Sequence, residues 1–120
     1  MGLTYVTSKF SPATGQGGAF EAQFLVDTGA TDSMVPACEL RKNGFVPIGR
    51  TAYELADGTL KEYSFGLARI EFMGEITAGR VIFGPDNSEP ILGVTALESV
   101  GILVDPANKT LKRLPAIPLK

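Results

Sequence analysis

Phe24-Leu25-Val26-Asp27-Thr28-Gly29-Ala30 holds the residues best placed to do chemistry in this chain, an apolar run that stops at a carboxylate. Phe24 to Val26 reads as the end of a buried strand. Asp27 follows directly, where an unpaired charge is costly to bury. Thr28 supplies a hydroxyl and Gly29 a backbone free to turn, which sets the acid at the tip of a tight loop. A carboxylate so placed can act as a general acid or base, and Asp27 is expected to be one half of a catalytic pair of aspartates.

The residues that are missing narrow the chemistry further. The chain has no histidine, so a Ser-His-Asp or Cys-His relay cannot be built from it, nor a zinc site of His and Cys. Chemistry must rest on carboxylates, lysine, tyrosine, hydroxyls or a bound cofactor. Asp32 lies near Asp27, but two acids without further close ligands make a poor oxygen cage, and no metal is expected. Asp86-Asn87-Ser88-Glu89 lacks the spacing and the glycine of a calcium-binding hand and reads as a solvated turn. Gly15, Gly17 and Gly18 form neither a Walker loop nor a dinucleotide fingerprint, because the strand-loop-helix context is absent. No cofactor is therefore expected. The one cysteine, Cys38, cannot form an internal disulfide and reads as a buried small hydrophobe rather than a nucleophile.

A length of 120 residues fits one domain over residues 1–120, large enough for a single core. The net charge of −2 and the lack of long basic runs argue against nucleic acid as a partner. Lys112 and Arg113 read as a solvated end. No apolar stretch approaches the length of a membrane span, and the N-terminus lacks a signal-peptide core. Together with the lone cysteine, these features predict a cytoplasmic protein without a membrane partner.

The elements that must position Asp27 are mostly short strands joined by glycine-rich turns. Leu3 to Lys9 reads as a strand, Ser11 to Gly18 as a loop, and Ala19 to Val26 as the strand that delivers Asp27. Met34-Val35 is a brief strand, and Pro36 opens a helical turn that Asn43-Gly44 closes. Ala52 to Phe65 carries the strongest hairpin signal. Asp57-Gly58 suits a type I′ turn, which would set Leu55 opposite Leu60 and Glu54 opposite Lys61. Gly66 to Phe72 and Ile76 to Phe83 follow as strands, with Met73-Gly74-Glu75 between them. Ile91-Leu92-Gly93 is a short apolar strand, and Thr95-Ala96-Leu97-Glu98 has the spacing of a helix capping box, with Gly101 ending the helix. Ile102 to Val104 and Thr110 to Leu114 flank the Asp105-Pro106-Ala107-Asn108 turn. The sum is a mainly β domain with one or two short helices. Leu25, Ala30, Leu55, Leu60 and Ile82 are apolar candidates for core or substrate subsites, core being preferred for most.

Taken in order, these segments resemble the retropepsin-like aspartic proteases, in particular their small prokaryotic members. The resemblance rests on Leu25-Val26-Asp27-Thr28-Gly29-Ala30, the Asp57-Gly58 hairpin and Ile91-Leu92-Gly93 before a short helix, supported by Leu97-Glu98 and Val104-Asp105-Pro106. It runs from Leu3 to Leu114. An isolated Asp-Thr-Gly would be a weak signal; with its apolar flanks, a hairpin midway and a later apolar-apolar-glycine element it is far more specific.

The resemblance implies a closed β-barrel with a flap hairpin, and an endopeptidase that hydrolyses extended peptides or proteins. It also implies a twofold homodimer, because the chain has a single Asp-Thr-Gly and a complete site needs Asp27 from two copies. In that site the two aspartates share a proton; one activates a water and the other donates to the substrate carbonyl oxygen. Thr28 would orient the loops, Gly29 would allow close approach, and Ala30 completes the active-site loop. Ala56, Asp57, Gly58 and Thr59 would form the tip of the flap over a substrate bound as an added strand. Ile91, Leu92 and Gly93 would support the loop from beneath.

Departures from the viral pattern are specific. Viral enzymes carry an acid two residues after the motif glycine and an arginine directly after the later glycine; here these positions are Thr31 and Val94, so both partners of that pair are absent together. The flap tip lacks the multiple glycines of viral flaps, and Pro115 and Pro118 limit sheet pairing at the C-terminal end. The rival reading is a noncatalytic dimerisation or peptide-binding module that retains the fold.

Overall fold

Alternating burial along the chain builds most of it into strands. The computed structural model describes residues 3–119. The strands are β1 (Tyr5–Pro12), β2 (Phe20–Asp27), β3 (Ser33–Pro36), β4 (Gly49–Glu54), β5 (Leu60–Phe72), β6 (Glu75–Gly84), β7 (Ile91–Gly93), β8 (Ile102–Asp105) and β9 (Thr110–Arg113). Two short helices interrupt them, α1 (Ala37–Lys42) and α2 (Val94–Ser99). The fold is mainly β. No helix among the described residues is long and apolar enough to cross a membrane.

Seven strands form one sheet in the order β1-β2-β7-β3-β6-β5-β4, and a further β1–β5 pairing closes six of them into a barrel. β1 achieves this by using two partners, Tyr5 to Phe10 on β2 and Ser8 to Pro12 on β5. Most pairs are antiparallel, but β2 runs parallel to β7 and β3 parallel to β6. β8 and β9 form a separate two-stranded sheet.

The strands and helices share one buried cluster that includes Phe10, Phe24, Val35, Ile70 and Leu92 from the sheet and Leu40 from α1. Phe10 and Phe24 stack face to face with centroids 4.7 Å apart, and the Phe20 ring meets Phe24 edge-on at 6.0 Å. Such pairs add roughly 0.5–1.5 kcal/mol to the area they bury. The last turns of β6 are buried continuously from Val81 to Gly84, as expected where a strand has a parallel partner and a helix against it.

Several local expectations are corrected. Gly66 to Phe72 is not a separate strand: β5 runs unbroken for 13 residues, its first half paired with β4 and its second half with β6 and β1. The Asp57-Gly58 turn is not type I′, because Gly58 alone has a positive φ (86°) there. Gly58 N–H bonds Leu55 C=O and Leu55 N–H bonds Thr59 C=O, the pattern of a three-residue loop whose last residue forms a glycine bulge. The extra residue shifts the register by one, setting Glu54 opposite Leu60 and Tyr53 opposite Lys61. The turn with two positive φ values is Met73-Gly74, at 52° and 76°, between Phe72 and Glu75.

The Thr95 to Glu98 capping box does not form. Residue Gly93 caps α2 and no side chain bonds the helix start, because Thr95 is already inside the helix. Cys38 is exposed rather than buried. Asp86 is more than a solvated turn residue: its Oδ1 accepts the Cys38 N–H at 2.9 Å, at the start of α1, where a carboxylate favours a helix N-terminus. Leu55 and Leu60 are exposed, at 38% and 74%, whereas Ile82 is core at 6%.

Candidate active site

β2 and its parallel neighbour β7 end side by side, Asp27 opposite Gly93. Since β7 lies between β2 and β3, residues 28–32 must arch over its end to reach β3. Asp27 is half-buried at the start of that arch, with Thr28 and Gly29 exposed. Its Oδ1 accepts the Gly29 N–H at 2.9 Å, and its carbonyl accepts the Ala30 N–H at 3.1 Å. The carboxylate is thereby oriented by its own loop, and Oδ2 accepts no hydrogen bond among the described residues.

The arch is clamped from below by backbone. Val94 N–H bonds Ala30 C=O at 2.8 Å and Thr95 N–H bonds Thr31 C=O at 3.2 Å. The Gly93 N–H donates to Ser33 Oγ at 3.0 Å, a buried bond. A Cβ on Gly93 would fall 2.6 Å from the Asp32 carbonyl carbon and 2.7 Å from the Thr31 and Asp32 oxygens, so only glycine allows this approach. Ile91 and Leu92 pair with Leu25 and Val26, and Met34 of β3 pairs with Ile91. The three β7 residues therefore carry the loop but present no reactive group to it.

The β4–β5 hairpin reaches the same loop. Tyr53 on β4 donates its hydroxyl to Asp32 Oδ2 at 2.6 Å. Burial, and then the bond to the Asp32 carboxylate, push the Tyr53 phenol up to about 12, with Arg80 acting in the opposite sense. Arg80 of β6 donates to Thr51 Oγ1 at 2.9 Å, and its guanidinium lies 4.0 Å over the Phe65 ring, a cation–π contact. The tip residues Ala56, Asp57, Gly58 and Thr59 are exposed. Asp57 Oδ1 accepts both the Thr59 N–H (3.0 Å) and the Thr59 hydroxyl (2.7 Å), which hold its carboxyl below the usual range.

Ser33, Tyr53 and Arg80 were not singled out by sequence reasoning, and Asp32 was weighed only as a metal ligand. Ser33 had a readable signal, a small polar residue opening an otherwise apolar strand. Tyr53 and Arg80 had none, because their partners lie on other elements. The Cys38 thiol is pushed up by local desolvation and then by Asp86, which disfavours the reactive thiolate. No group of three or more His, Cys, Asp or Glu among the described residues could hold a metal ion.

Two cavities border these elements, a space of about 10 Å³ beneath the loop beside Thr31, Asp32, Ser33 and Arg80, and an open one of about 280 Å³ beside Lys9, Glu21, Glu71 and Glu75. Neither is lined by Asp27. What the site offers is a half-exposed carboxylate with one oxygen fixed, on a loop held rigid by β7 and α2. No protein-family model matches the chain, and no curated protein matches it.

Proposed function

We propose that the chain is one half of a homodimeric, retropepsin-like aspartic endopeptidase, with Asp27 of each copy forming the catalytic pair. The observation that carries this reading is the Asp27 loop: a carboxylate oriented by Gly29 N–H and clamped by backbone bonds from Val94 and Thr95. Preorganisation of this kind is what an acid–base pair needs, since a carboxylate must hold its place while charge moves. The closed barrel and the β4–β5 hairpin beside the loop add to the support.

Two carboxylates brought close together cannot readily both ionise, so the pair shares a proton and titrates with two macroscopic constants. The ionised member takes a proton from water as the water oxygen attacks the peptide carbonyl carbon. The protonated member gives its proton to the carbonyl oxygen, forming a tetrahedral diol. Returning a proton to the amide nitrogen then breaks the C–N bond. An extended peptide pairs as an added strand, and the hairpin serves as the flap that excludes water. Thr31 and Val94 replace the viral acid–arginine pair, and the backbone bonds at Ala30 and Thr31 tie the same two segments together. One cysteine and no disulfide suit a reducing cytoplasm.

Cleavage of an unstructured protein from acidic to neutral pH tests the reading. The wild type is expected to cleave, and Asp27→Asn to lower the rate by about 10²–10⁴-fold. The variant retains an oxygen for the Gly29 N–H and should keep its folding midpoint. Two equally inert proteins that still bind peptide would instead establish a binding module.

A further inference from the structure

β4 is the end strand of the sheet and pairs with β5 alone. Beyond it, every residue from Glu54 to Glu62 is exposed, so packing does not hold the hairpin tip in place. Its attachments lie instead on two residues of one β4 face. Thr51 is held by Arg80 at 2.9 Å, at the root of the hairpin. Tyr53, the last partly buried residue before the tip, bonds Asp32 at 2.6 Å across 21 positions of sequence. This is the only side-chain hydrogen bond between the hairpin and residues 27–33 among the described residues. The phenol, pushed up to about 12, remains a donor throughout the neutral range, and its acceptor belongs to the loop that begins at Asp27.

We propose that Tyr53 is a positioning residue for the Asp27 site: its bond to Asp32 latches the β4–β5 hairpin to the Asp27 loop, and the hairpin releases it to admit a peptide. Arg80 and Thr51 keep the root fixed while the tip swings. The latch rests on the fold; only its use in peptide entry rests on the peptidase reading.

Tyr53→Phe removes the hydroxyl and keeps the ring that lies 6.2 Å from Tyr63. Backbone relaxation dispersion at Ala56 to Thr59 should then show the open population rising about ten- to hundredfold, as expected for losing a hydrogen bond to a charged acceptor, with barrel amides unchanged. Asp32→Ala should give the same shift, and the double variant no more than either single one. In turnover, loosening the latch should lower KM, because more of the free protein is open, and lower kcat, because closure over substrate is weaker. A tip whose dynamics do not respond, or a change spread evenly over the barrel, overturns the latch. If the tip responds while the wild type cleaves nothing, the latch stands and the peptidase reading falls; cleavage by the wild type with an unresponsive tip gives the reverse.

Discussion

Gly93 decides how the Asp27 loop is held, because its missing side chain is where the loop backbone passes. Gly93→Ala would set a methyl group 2.6 Å from the Asp32 carbonyl carbon, a rigid neighbour that cannot rotate away. The expected cost is about 1–3 kcal/mol of stability, read as a lower urea midpoint, and, under the proposed peptidase function, a loss of turnover as Asp27 shifts with its loop. Ser33→Ala leaves the buried Gly93 N–H without its acceptor and should cost a similar ~1–3 kcal/mol. A Gly93→Ala protein with unchanged midpoint and turnover would refute this account of the clamp. Asp27 was legible from its neighbours alone, since an acid directly after an apolar run must sit at a surface. Tyr53 was not, because its partner is set by how the hairpin folds back.

At the scale of the element, the hairpin shows how a turn pair can be recognised and its geometry misjudged. Asp-Gly allows type I′, but the Asp57 carboxylate binds Thr59 N–H and hydroxyl, and that local cap accompanies a bulge at Gly58 and a one-residue change of register. Asp105 does the same in the β8–β9 turn, accepting from Asn108 and Ala107. Both carboxyls lie below their usual range, chiefly through the Thr59 and Asn108 side chains. A lowered folded value means that the support is present above the ordinary carboxylate value and is lost as pH falls through the lowered one. Acid titration followed by NMR should therefore show Asp57 and Asp105 titrating below unperturbed aspartate, with Thr59 and Ala107 amide exchange rising in the same acid range. Titration of either at the ordinary value would contradict the turn geometry. The capping box failed for a related reason: β7 ends at Gly93 against Asp27 and α2 starts at the next residue, Val94, so tertiary pairing displaced the start that the Thr95 to Glu98 spacing implied.

For the whole molecule, the proposed site is incomplete in one chain, so activity and association must be linked. If Asp27 meets its partner only in a dimer, dilution through the dissociation constant should lower specific activity in step with the dimer fraction measured by sedimentation. Constant specific activity down to concentrations at which the protein is monomeric would exclude the shared pair. Mixing wild type with excess Asp27→Asn should also suppress activity, because mixed dimers carry Asp27 on only one of their two chains.

The sequence by itself determined the mainly β character, the strand that ends at Asp27 and the approximate place of nearly every turn. These follow from local periodicity and from residues whose backbone preferences are intrinsic. Only the tertiary structure decided that β7 would slide between β2 and β3, that β1 would close the barrel on β5, and that Tyr53 would bond Asp32. Those contacts join segments far apart in sequence, and their formation depends on packing and register across the whole barrel, which no local pattern encodes.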